Sequence, residues 1–429
     1  MVLTGSRTPS GSVVPWSWTM PRPGAAALLA IGASLRIVAY LSNRGYWMAE
    51  MSLHANIAHG PIFALTGPLD HLQIVPPLFL VIERAILRIL GDHRYALRLA
   101  PLLGGLASLV LMDAVARRLW PGRAALMALA LFALSDEQVY YSTELKPYGT
   151  DVTVALAILL TTLGVRSQGL TTRLAVALLS IGAIATWFSF TAIFMLAASG
   201  VVLAVEATVA RRWRSLAALV AIGSTWLASF AGSWIATRTQ IGPDRSLWTF
   251  WDFAFPPPFA MDPAWIPRRL LFFFISPLDF GGPWPVDPRL AALPAVACGL
   301  AGLVWIVSRK PASAALLLLP GALVILAATL RVYPFHGRLA MFLVPSFYML
   351  IAAGADLIWN RSGRRAVGVV LIGALFLNST LLDLHHLTWE KHDRFDLNPR
   401  GDRRPVWMSP DMFFSSPRYP HPGETLSTK

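Results

Sequence analysis

Long apolar stretches separated by short polar connections make up most of the chain. After a polar, Pro- and Ser-containing segment at 1–22, apolar runs occupy about 24–41, 96–116, 124–140, 152–165, 174–188, 190–209, 215–236, 290–307, 312–330, 339–358 and 366–382. Roughly 20 apolar residues carry a helix across a bilayer. The pattern therefore predicts an all-α polytopic membrane protein with about eleven transmembrane helices. The runs are continuous rather than alternating, which excludes the strands of a membrane β-barrel. The first run is long for a signal-peptide core, and no small-x-small cleavage site follows it, so it reads as an uncleaved first span. The expected organisation is a cytoplasmic N-terminal segment at 1–23, a transmembrane domain at 24–382, and a short outer tail at 383–429, too short for a core of its own.

Two connections are much longer than the rest. The first holds HLQIVPPLFLVIERAILRILGDHR, whose apolar residues recur at helical spacing but are interrupted by Glu83, Arg84 and Arg88. Each charge near the centre of a span costs about 2.5 to 3.5 kcal/mol, so this segment is expected to be an amphipathic helix in the outer interface. The second is rich in Pro and Trp, with Trp248, Trp251, Trp265, Trp284 and the run Pro256, Pro257, Pro258. Such a loop suits an interfacial aromatic belt or a surface that contacts carbohydrate or lipid.

Composition agrees: 55% of the 429 residues are hydrophobic, 14% are charged, and the mean hydropathy is +0.56. That excludes a disordered chain and does not fit a water-soluble enzyme. The net charge of +13 could point to nucleic acid, but the position of the basic residues decides otherwise. Arg117, Arg118 and Arg123; Arg166 and Arg173; Arg211, Arg212 and Arg214; Arg309 and Lys310; and Arg361, Arg364 and Arg365 all fall in alternate connections. The positive-inside rule puts these five in the cytoplasm and leaves the connections at 42–95, 141–151, 237–289 and 331–338 outside. The single cysteine, Cys298, excludes an internal disulfide and a Cys-rich metal site.

Candidate chemistry lies at the outer ends of the spans. GYWMAEMSLHANIAHG carries Glu50 at the start of a helical pattern, where an acid can equally serve the helix dipole. YYSTELKPYGTDV crowds Glu144, Lys146, Tyr148 and Asp151 into one turn. An ordinary solvated ion pair would explain them, but an ammonium at a membrane surface can also neutralise a lipid phosphate. RVYPFHGRLAMFLVP presents Arg331, Tyr333, His336 and Arg338. Arg338 can grip a phosphate through forked hydrogen bonds, or it can snorkel to the interface. No HExxH, P-loop, GxSxG or metal-ligand pattern occurs, and no cofactor or metal is expected.

Taken in order, WMAE after the first span, PLDHLQ followed by PPLFL, YYSTELKPYGTD and YPFHGRLAMFLVP resemble the GT-C superfamily of integral-membrane glycosyltransferases. The likeness is to the bacterial branch related to protein O-mannosyltransferases and lipid A aminoarabinose transferases (glycosyltransferase family 39-like), over most of 24–382. It implies a polyprenyl-phosphate sugar donor, an outward-facing active site in a bacterial inner membrane, and transfer to a lipid, glycan or protein acceptor. Family members commonly place an Asp-Glu pair in the first outer loop. Here the first position is Ala49, which leaves Glu50, or Asp70 of PLDHLQ, as the catalytic acid. Lys146 and Arg338 would bind the donor phosphate, with His336 and Tyr148 in support. A flippase for lipid-linked saccharide would use the same basic residues, but it should carry polar groups and repeated broken helices near mid-membrane. The spans are nearly clean, Arg36 being the main exception and expected to snorkel outward. The other alternative is a noncatalytic relative, which the missing acid at Ala49 allows.

Overall fold

The computed structural model describes residues 22–59, 65–70, 73–120, 122–241, 246–257, 262–281, 287–361 and 373–376. Most of the eleventh expected span, the outer tail, Trp284, Arg364 and the first 21 residues lie outside them. Among the described residues the regular structure is helical, without strands. The helices run α1 (Pro23–Leu41), α2 (Met48–Ala58), α3 (Pro77–Leu90), α4 (Arg94–Leu97), α5 (Leu99–Leu119), α6 (Arg123–Ala133), α7 (Asp136–Tyr141), α8 (Tyr148–Gln168), α9 (Thr172–Phe188), α10 (Ala192–Val209), α11 (Trp213–Thr237), α12 (Ser246–Phe250), α13 (Trp265–Ile275), α14 (Pro288–Ala291), α15 (Leu293–Arg309), α16 (Pro311–Thr329) and α17 (Val344–Arg361).

Eight helical segments are long and apolar enough to cross a membrane: 23–41, 94–119, 148–168, 192–209, 213–240, 288–309, 311–329 and 337–360. Two more, α6 and α9, are apolar but shorter. The protein is thus a polytopic, all-α membrane protein, with eight such helices rather than ten among the described residues. The run expected as one span at 124–140 divides because Ser135 interrupts it and starts α7, accepting a hydrogen bond from the Gln138 amide at 3.4 Å. The break leaves carbonyls at the end of α6 without helical partners. Arg36, fully buried on α1, donates to Ala133 O at 3.2 Å and Phe132 O at 3.4 Å there, and to Gly32 O of its own helix at 2.9 Å. It therefore does not snorkel outward: satisfying those carbonyls offsets the cost of its burial.

Small residues let the helices close on one another, as is usual where lipid gives no hydrophobic drive to association. A Cβ on Gly302 of α15 would lie 2.0 Å from the Leu350 carbonyl oxygen of α17. One on Gly105 of α5 would lie 2.3 Å from Cβ of Ser142, in the connection between α7 and α8.

Basic connections among the described residues meet at one end of the bundle, together with the last turns of α17. Arg166 pairs with Glu206 at 2.9 Å and donates to Ser313 Oγ at 3.0 Å, Lys310 donates to Leu119 O at 2.9 Å, and Arg123 pairs with Asp356 at 3.2 Å. The four long or polar connections gather at the other end. Gln240 accepts from the Val75 amide at 2.9 Å and donates to Leu65 O at 3.3 Å. Trp248 donates to Arg331 O at 2.7 Å, and Arg331 pairs with Asp252. The helix α3 forms where the amphipathic helix was expected. Arg88 is exposed, but Glu83 and Arg84 are taken inward: Arg84 donates to Asn56 O at 3.2 Å and His59 O at 2.6 Å at the C-terminal end of α2, where the helix dipole favours a cation. Glu83 is fully buried, which holds its carboxyl well above the ordinary carboxylate range.

Candidate functional site

A cavity of about 280 Å³ opens where these longer connections meet, lined from α2, the turn before α8, α10, α11, the Trp-rich loop and the segment entering α17. Its polar residues are few. Lys146 and Arg338 bring basic groups, Asp151 a carboxyl, Tyr148 and Tyr333 phenols, and Gln73 an amide. Most of the remaining wall is aromatic or aliphatic, including Phe190 from the turn before α10, Phe194 of α10, and Phe230 and Trp234 of α11. The arrangement suits an amphiphile with an anionic head and a long apolar tail.

Arg338 stands at the charged end. Its guanidinium lies 5.7 Å from the ring centre of Trp47, 5.6 Å from Tyr148 and 5.7 Å from Trp251. Among the described residues it makes no hydrogen bond and no ion pair, so its planar fork of donors is held by ring faces and left open to the cavity. Local backbone helps to set it there, since Gly337 takes a left-handed φ of +39° that a side chain would resist. The Trp-rich loop expected to be a belt or a contact surface thus supplies part of the wall, through Trp248 and Trp251.

Lys146 is buried, and its ammonium donates to Gln73 Oε1. Desolvation and the nearby Arg338 push it down to about 7, with Glu144 and Glu50 opposing. A bound dianion would restore its charge.

Glu50 does not join this wall, although its neighbours Trp47, Met48 and Ala49 do. Its carboxylate is fully buried and accepts from Arg98 Nε at 3.0 Å, from Arg98 Nη2 at 2.8 and 2.9 Å, from the Leu145 amide at 2.9 Å and from the Trp47 amide at 3.3 Å. Every lone pair is occupied by structure. The same Arg98 donates to the carbonyls of Arg44 at 2.7 Å and Gly45 at 3.2 Å, while Trp47 donates its indole N–H to Glu144 at 3.0 Å. The two acids therefore bind the connection after α1 to the turn that carries Lys146.

Of the other expected residues, Tyr148 lies in the wall beneath Arg338. His336 lies behind it, stacked on Phe272 at 4.7 Å, with Nδ1 accepting from Arg269 at 3.2 Å. Burial and the two arginines push that imidazole down to about 3, so it is neutral and adds no charge toward a phosphate. Asp70 is exposed and away from the cavity, its backbone paired with the side chain of Asn56 at 2.8 and 3.1 Å. Conversely, Asp151 was visible only as one member of a crowded turn, and Arg98 only as a basic residue at the edge of a span. Among the described residues no three His, Cys, Asp or Glu side chains cluster to hold a metal ion.

Residues 74–234 match the family described as dolichyl-phosphate-mannose-protein mannosyltransferase. No curated protein matches the chain. Among solved structures the fold is similar to ArnT from Cupriavidus metallidurans in the apo state, with 15% identity and a TM-score of 0.53 over 82% of this chain. It is similar also to ArnT bound to undecaprenyl phosphate, with 18% identity and a TM-score of 0.51 over 82% of this chain. A third likeness is to the Archaeoglobus fulgidus oligosaccharyltransferase in the apo form, with 13% identity and a TM-score of 0.54 over 88%. The chain spans 64% of the length of the ArnT chains and 58% of the archaeal one. The fold is thus similar to that of the ArnT and oligosaccharyltransferase structures, in the direction that the order of motifs implied.

Proposed function

We propose that this protein is a membrane glycosyltransferase that takes a sugar from a polyprenyl-phosphate donor and transfers it to an acceptor at the outer face of a bacterial inner membrane. The observation that carries the reading is the open guanidinium of Arg338, caged by three aromatic rings, at the charged end of an otherwise apolar cavity. A phosphate between Arg338 and Lys146 would leave its prenyl chain along Phe190, Phe194, Phe230 and Trp234. As the sugar leaves, negative charge grows on the phosphate, and donors fixed at that position stabilise it without reorganising. ArnT, one of the fold's relatives, was solved bound to undecaprenyl phosphate, which supports the same class of ligand here. The outer-face assignment rests on the positive-inside rule, since the cavity lies at the end opposite the basic connections.

In this reading Glu50 is a positioning residue that holds Arg98 and the Lys146 turn in place. His336 orients Arg269 and backs the wall, and Asp70 lies outside the reaction. The test is binding of undecaprenyl phosphate to purified protein. Charge-assisted hydrogen bonds contribute about 1.5 to 3 kcal/mol, so Arg338→Ala and Lys146→Ala should each weaken binding about ten-fold or more. Wild-type affinity in both variants would return the two residues to a structural role.

A further inference from the structure

We propose that Asp151 is the carboxylate that removes the proton from the acceptor, doing the work that neither Ala49 nor Glu50 can do in this chain. The inference rests on the transferase reading above and names the residue that completes its site.

Four acids stand in the candidate motifs, Glu50, Asp70, Glu144 and Asp151, and their surroundings separate them. Glu50 is saturated by Arg98 and two backbone amides. Glu144 is fully buried and accepts the indole N–H of Trp47. Asp70 is exposed and outside the cavity wall. Asp151 alone among these four lines the cavity, is only 8% exposed, and keeps a carboxylate oxygen, Oδ1, buried without a hydrogen-bond partner. Buried carboxylate oxygens are normally paired, so one left without a partner in a residue of the cavity wall marks a place for a ligand's hydrogen-bond donor. A dipole-stabilising acid in the first turn of α8 would explain an Asp at this position, but not an oxygen enclosed in the wall with nothing donating to it.

Its placement fits the reaction. Asp151, Tyr148, Tyr333 and Arg338 all line the cavity, and the Arg338 guanidinium lies 5.6 Å from the Tyr148 ring, three residues before Asp151 on α8, so the carboxyl and the phosphate-binding cation share one wall. In the step, the acceptor hydroxyl loses its proton to Asp151 as its oxygen bonds to the anomeric carbon. The bond from that carbon to the phosphate oxygen breaks, and its electron pair leaves with polyprenyl phosphate, held by Arg338 and Lys146. The proton then passes from Asp151 to water. Sugar, electrons and proton balance without any further reactant.

The experiment compares wild type, Asp151→Asn and Asp151→Glu in proteoliposomes. It measures transfer from polyprenyl-phosphate-linked hexoses and pentoses to hydroxyl acceptors, and undecaprenyl phosphate binding on the same samples. A general base contributes about 10²-fold or more. Asp151→Asn is expected to lose turnover by about that factor with binding within about three-fold of wild type, and Asp151→Glu, which keeps the carboxylate, to recover part of it. Turnover of Asp151→Asn at the wild-type rate overturns the assignment and leaves the transferase reading standing. If Asp151→Asn does not fold, Asp151→Glu decides: kcat unchanged from wild type overturns the assignment, and a fall in kcat at constant lipid affinity supports it. Wild-type protein that binds undecaprenyl phosphate but transfers nothing removes the transferase reading, and the base with it.

Discussion

Two residues that look alike in sequence, Glu50 and Asp151, part company once their neighbours are known. Both are acids at the outer start of a helix, and the sequence motif favoured Glu50. What the linear order could not carry is that Arg98, 48 residues away, folds onto Glu50 with both its Nε and Nη2. Removing one member of a buried ion pair leaves the other without compensation, which costs about 3 to 5 kcal/mol. Glu50→Gln is therefore expected to lower the thermal unfolding midpoint and weaken lipid binding together, measured in detergent by unfolding and ligand titration. A variant that stays stable and binds normally but does not turn over would restore Glu50 to the chemistry. Lys146 makes a prediction in pH. Its proton is lost near 7 in the folded, empty protein but near 10.5 in an unfolded chain, so over that interval the unfolded state binds more protons and stability rises with pH. Binding runs the other way. A phosphate monoester, with a second pKa of about 6, is mostly dianionic by pH 7, so the affinity for undecaprenyl phosphate should fall as pH rises past 7, and Lys146→Arg should flatten the profile.

At the scale of elements, the helices and their order were legible because continuous apolar runs fix where helices lie. Their interruptions were less so. One serine, Ser135, outweighs apolar neighbours on both sides, and only the arrival of Arg36 from α1 makes that break tolerable inside the bundle. The cavity wall was legible in part: Lys146, Tyr148 and Arg338 follow from their motifs, whereas Phe194, Phe230 and Trp234 read as ordinary lipid-facing residues. Their role depends on the spacing of α10 and α11 around a void, which no one-dimensional pattern encodes. The connection before α8 is itself seated by close approach to Gly105. Gly105→Leu would drive a side chain into Ser142 and lift the Lys146 turn. It should reduce undecaprenyl phosphate binding and thermal stability in parallel, although residue 105 does not line the cavity. Unchanged binding in a destabilised Gly105→Leu protein would separate the turn from the site.

For the whole molecule, the account requires that the basic connections and the cavity lie on opposite faces of the membrane. In a Cys298→Ala background, single cysteines at the exposed positions Thr66 and Arg212 should react with an impermeant thiol reagent from opposite sides of intact cells or oriented vesicles. The sequence supports that prediction through five basic connections, and among the described residues the folded chain joins that end by pairs such as Arg166 with Glu206 and Lys310 with Leu119. The central claim is that the cavity receives a polyprenyl phosphate between Arg338 and Lys146. Native mass spectrometry of protein titrated with undecaprenyl phosphate, run on wild type and on the Arg338→Ala and Lys146→Ala variants, tests it most directly. The account predicts one bound lipid per chain in wild type and about ten-fold or greater loss in each variant; equal lipid occupancy in all three proteins would contradict it.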